Sequence, residues 1–118
     1  MDRRVSRVIE AIQANLQHAL DVDGMARAVN LSSSRLRHLF KEETGLSPAQ
    51  YLKKLRMERA RELGEQTFMQ VKEIMNAVGL RNNSHFTHDF KRAYGLTPTE
   101  CRKGKTNSSY AAPRLGKP

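Results

Sequence analysis

The 118 residues (13.4 kDa) leave room for one ordinary domain or two very small ones, and 38% apolar content allows only a modest core. Lysine and arginine number 21 against 12 aspartates and glutamates, so the chain carries +9 with a pI near 10.2, a balance that favours a polyanionic partner, nucleic acid or an anionic membrane surface. No apolar run approaches the ~18 residues of a spanning helix; Arg7, Glu10 and Gln13 interrupt any signal-peptide core; and the lone Cys101 excludes an internal disulfide, argues against a metal site and suits the cytoplasm.

The first twenty residues carry Val5, Val8, Ile9, Ile12, Leu16 and Leu20 at steps of three and four, a helical stripe. Asp21 is placed to cap a second helix over residues 22–29, and Asn30 tolerates the left-handed conformation that ends many helices. Ser32 caps a third helix with Leu36, Leu39 and Phe40 inward, and Gly45 ends it. Ser47-Pro48-Ala49-Gln50 is a capping box with proline at the first helical position. The long helix it opens runs to about Leu63, with Gly64 closing it. Tyr51, Leu52, Leu55, Ala60 and Leu63 face inward there, while Lys53, Lys54, Arg56, Arg59 and Arg61 outnumber Glu58 and Glu62.

A short helix over residues 71–78 ends at Gly79. Asn82 or Asn83 caps the next, with Phe86 and Phe90 inward and Tyr94-Gly95 at its end. Thr97-Pro98-Thr99-Glu100 is a second capping box, opening a last helix through Cys101 and Arg102. Residues 104–118 are rich in Lys, Asn, Ser, Pro and Gly and read as a disordered basic tail. No segment alternates as a strand does, so the fold class is all-α.

The chain repeats itself at a period of about 50. Leu36-Arg37-His38-Leu39-Phe40-Lys41 aligns with Phe86-Thr87-His88-Asp89-Phe90-Lys91, and Gly45-Leu46-Ser47-Pro48 with Gly95-Leu96-Thr97-Pro98. Upstream, Met25-Ala26-Arg27-Ala28-Val29 matches Ile74-Met75-Asn76-Ala77-Val78 at a period of 49, so one extra residue sits among Arg81, Asn82 and Asn83. Each copy is helix, short turn, amphipathic helix, which is a helix-turn-helix unit. The polar face of the second helix holds Ser33, Ser34, Arg37, His38 and Lys41 in the first copy. It holds Asn83, Ser84, His85, His88 and Lys91 in the second. A helix in the major groove needs donors in its N-terminal half and cations at its edges. One such face alone reads equally well as a solvated surface; two matched copies on a basic chain favour DNA.

These residues carry a resemblance to the AraC/XylS family of bacterial transcription regulators. It rests on Met25 to Ser32, Leu36 to Pro48 and Tyr51-Leu52, then on Val71 to Ile74, Val78-Gly79-Leu80, Ser84-His85-Phe86, Phe90-Lys91-Arg92 and Gly95 to Pro98. The resemblance implies seven helices forming a DNA-binding domain over residues 1–103. Two helix-turn-helix subdomains, 5–47 and 65–103, are joined by a linker helix over 48–64. Each second helix would enter the major groove of double-stranded DNA, one turn apart on one face. The family also implies activation through contact with RNA polymerase, in a bacterial cytoplasm at the nucleoid.

Two recognition units in one chain can cover two grooves, so monomeric binding is expected. No cofactor is called for, and nothing resembles a nucleophile, base and oxyanion set, so no enzyme is expected. The chain reads either as a stand-alone regulator or as the DNA-binding half of a longer protein, and Met1 directly before the first helix tilts the expectation towards the first. Asn30 stands for a common glycine, Met75 for a common alanine, Cys101 for a common tyrosine, and His88 where arginine is frequent. The second unit is accordingly expected to read DNA less tightly than the first. The alternative function is a module that docks on RNA polymerase or another regulator without reading DNA.

Overall fold

The computed structural model describes residues 1–106; of the tail expected over 104–118, residues 104–106 instead continue the last helix, and the rest lies outside the described residues. The described secondary structure is seven helices: α1 (Arg3–Ala14), α2 (Val22–Ala28), α3 (Ser33–Thr44), α4 (Pro48–Gln66), α5 (Val71–Val78), α6 (Asn83–Tyr94) and α7 (Pro98–Thr106). They fall into two compact units, Met1–Arg56 and the chain from Met57 on, so that α4 contributes to both.

In the first unit α1 starts at Asp2, whose carboxylate accepts from the Arg4 N–H at 2.7 Å. The Arg4 side chain, hydrogen-bonded to the same carboxylate, holds it down to about 2, so this cap stays ionised at neutral pH. Val5, Val8 and Ile12 of α1 join Ala26, Val29, Leu36, Leu39, Phe40 and Leu52 in one core. Phe40 meets Tyr51 edge-on, with ring centroids 5.3 Å apart. Burying a side chain of this size contributes about 1.5–3 kcal/mol. The apolar stripe of the first twenty residues outruns its helix: α1 stops at Ala14, and Leu16 and Leu20 pack against the core from the following loop. That loop is pinned by Arg56, whose Nε donates to the Leu16 carbonyl at 2.7 Å and whose terminal nitrogen donates to the His18 carbonyl at 2.9 Å. Arg56 is thus a structural clamp and not a solvated cation of α4; partial burial lowers its pKa.

In the second unit Met57, Ala60, Leu63, Ile74, Met75, Val78, Phe86, Phe90 and Cys101 form the core. Phe86, Phe90 and Tyr94 stack edge-on in series at 5.6 and 4.8 Å, and the Arg61 guanidinium lies 4.7 Å over the Tyr94 ring. Gly64 does not close α4, which continues to Gln66. Its role is close approach: a Cβ there would lie 3.2 Å from the Cys101 Sγ. Arg102 repeats the clamp of the first unit, donating from Nε to the Met69 carbonyl at 2.5 Å.

The internal repeat survives in hydrogen-bond detail. Asn30 and Gly79 take matching left-handed conformations, φ 61° and 83°. The Leu31 N–H donates to the Ala26 carbonyl and the Leu80 N–H to the Met75 carbonyl, both at 2.9 Å. Ser32 then caps α3 directly, whereas Arg81 intervenes before Asn82 caps α6. Arg81 is therefore the extra residue of the second turn. Gly45 and Gly95 end the two second helices at φ 80° and 81°. Both capping boxes form: the Ser47 N–H donates to Gln50 at 3.0 Å, and the Thr97 N–H to Glu100 at 2.8 Å.

Candidate nucleic-acid interface

α3 and α6 each begin at a polar cap. The Ser32 hydroxyl accepts from the Arg35 N–H at 3.1 Å and the Asn82 side chain from the His85 N–H at 2.9 Å. Neither helix has an acidic residue of its own in its first turn, although the Asp23 carboxylate of α2 lies against the first residue of α3. Both carry cations in the last turn, Lys41 on α3 and Lys91 with Arg92 on α6.

On α3, Ser34, Arg37, His38 and Lys41 are exposed. Ser33 is half-buried, and its hydroxyl donates to the Asp23 carboxylate of α2. Its side chain therefore ties α3 to α2. His38 Nε2 lies 3.4 Å from the Glu42 carboxylate one turn along. On α6, Asn83, Ser84, His85, His88 and Lys91 are all exposed. The Thr87 hydroxyl donates to the Asn83 side-chain oxygen at 3.2 Å, orienting that amide.

A shallow groove of about 670 Å³ runs along α6 to the start of α7, lined by Asn83, Ser84, Thr87, His88, Lys91, Arg92 and Thr97. Four of the sequence-chosen residues meet there, while His85 does not line it. Sequence reasoning passed over three of its walls. In sequence Thr87 is only the repeat counterpart of Arg37, and Thr97 a capping residue. Arg92, next to Lys91, was visible as a second cation but was not counted. Exposed Arg35, in the first turn of α3, was likewise missed.

Chemically, each unit offers donors and cations on one helix face. Among the described residues no group of three or more His, Cys, Asp or Glu side chains could hold a metal ion. None of the described helices is long and apolar enough to cross a membrane.

Comparison with known proteins points the same way. A helix-turn-helix domain profile matches residues 25–104. The transcriptional regulator GbdR of Pseudomonas aeruginosa is 32% identical over 102 residues, covering 86% of this chain and 28% of GbdR. The transcriptional activator RhaS of Escherichia fergusonii is 31% identical over 107 residues, covering 91% of this chain and 38% of RhaS. The chain thus spans about a third of the length of these curated relatives. A crystal structure of a transcriptional regulator with an AraC-type DNA-binding domain, from Chromobacterium violaceum, superposes with a TM-score of 0.78 at 30% identity, covering 86% of this chain and 91% of that one. These similar proteins are regulators and not enzymes. With its family profile covering most of the chain, seven helices and two helix-turn-helix units, this protein belongs to the AraC/XylS family of DNA-binding transcription regulators.

Proposed function

We propose that the chain is a sequence-specific transcription activator that lays α3 and α6 in successive major grooves of one DNA site and binds as a monomer. The observation that carries this reading is the duplicated unit, with each second helix presenting exposed donors and a terminal cation. Ser34, Arg37 and His38 in one helix, and Asn83, Ser84, His85 and His88 in the other, are the base-facing candidates. Ser33 supports α3 through Asp23, while Lys41 and Lys91 take phosphates. Activation follows by contact with RNA polymerase in the bacterial cytoplasm, at the nucleoid. Its support is similarity to RhaS, which is a transcriptional activator.

Selection of bound duplexes from a random pool, followed by transcription in vitro on the selected site, tests this. The expected result is one non-palindromic site of roughly 20 bp, two helical turns of about 10 bp each, and more transcript when the protein is added. Capture of RNA polymerase with no selected DNA would replace it with the docking reading, and reduced transcript would make the protein a repressor.

A further inference from the structure

The two units differ along the exposed faces of their second helices. At a period of 50, Arg37 corresponds to Thr87, His38 to His88, Lys41 to Lys91, Glu42 to Arg92 and Ser47 to Thr97. The arginine able to read a guanine on α3 is a threonine on α6, while the carboxylate beside His38 becomes a guanidinium. Positive charge has moved along the helix, away from the end that meets bases and towards the end that meets phosphates. In the second unit those cations share a groove with the Thr97 hydroxyl.

The hydrogen bonds assign the donors. The Thr97 N–H is already given to Glu100, and the Thr97 hydroxyl oxygen accepts from the Glu100 N–H at 3.1 Å. The Thr97 side chain also bonds the Glu100 carboxylate, so its hydroxyl is spent within the capping box. The Thr87 hydroxyl proton is spent on Asn83. The Glu100 carboxylate opposes an anion here; bonds from the Thr97 amide and side chain lower its pKa and hold it ionised, with Lys91 and Lys103 assisting. Two cations in the groove, Lys91 and Arg92, outweigh it.

We propose that Arg92 joins Lys91 in gripping the sugar-phosphate strand beside α6, making this groove a backbone clamp of the second unit. The inference rests on the DNA-binding reading of the α6 face. Arg92 is exposed, so its replacement spares the core.

Binding of the full chain to the selected duplex and to random duplex, titrated with salt, tests it. Arg92→Gln should weaken both by the same factor, about 3- to 10-fold, and flatten the log affinity against log salt slope by about 1. Arg92→Lys should recover the wild-type slope. An unchanged slope in Arg92→Gln, or a loss confined to the selected duplex, overturns the clamp while leaving DNA binding intact. A wild-type slope near zero overturns the DNA-binding reading and the clamp with it.

Discussion

Arg37 lies one turn past the Ser32 cap, exposed on α3, and its planar fork matches the two acceptors of guanine in the major groove. Arg37→Ala should cost about 1–3 kcal/mol on the selected site and relax preference at one base pair. Lys41→Ala, in the last turn, should weaken all sequences alike. Competition binding against single-base variants of the site separates the two outcomes. If Arg37→Ala weakens random DNA equally, Arg37 is a phosphate contact.

His88 faces the same groove as Lys91 and Arg92, whereas its counterpart His38 faces a carboxylate. Arginine always carries a charge and adds donors in a planar fork. His88→Arg should therefore bind DNA more tightly. Fluorescence anisotropy reads the effect. Unchanged affinity would remove His88 from the interface.

Cys101 shows burial acting on a lone thiol. Desolvation pushes it up to about 11, so it stays protonated well above neutral pH. The native thiol should resist alkylation at pH 8 and react once the chain is unfolded. A thiol raised in the folded state stabilises nothing extra below its unfolded pKa. It costs stability only as pH climbs above about 8.5, where the unfolded thiol would ionise. Rapid native labelling at pH 8 would contradict this burial.

At the scale of elements, the caps and the repeat were legible because they are local. Asp21, Ser32, Ser47 and Thr97 each bond an amide three residues on, a pattern written in adjacent letters. Inner stripes such as Leu36, Leu39 and Phe40 follow from helical period alone. What escaped depends on partners far along the chain. The end of α1 could not be read from a stripe that Leu16 and Leu20 continue in a loop. Gly64 read as a stop because its neighbour in space, Cys101, is 37 positions away by residue number. Met57 was absent from the inward face expected for α4, which serves two cores whose stripes differ. In the site, exposure of the two helix faces was legible. The Ser33–Asp23 bond and the groove joining Thr87, Arg92 and Thr97 were not, since each needs a neighbouring element.

Arg56 gives the test at this scale. Its two hydrogen bonds to the Leu16 and His18 carbonyls hold the loop that leads into α2. Losing charge-assisted bonds of this kind costs about 1.5–3 kcal/mol. Arg56→Ala should lower the urea midpoint accordingly and raise amide exchange in residues 15–20. An unchanged midpoint would mean that the loop is held by Leu16 and Leu20 packing alone.

For the whole molecule, a charge of +9 and a duplicated helix-turn-helix unit point in one direction. Each unit has its own core, its own clamp arginine and its own polar-faced second helix. On the proposed reading, one chain holds what regulators with a single unit obtain by dimerising on a palindrome. The most direct test is the stoichiometry of the complex on the selected duplex, measured by sedimentation. One protein per duplex is predicted, with protection over roughly 20 bp of non-palindromic sequence. An obligate dimer on a symmetric site, with each chain protecting a single groove, would contradict it.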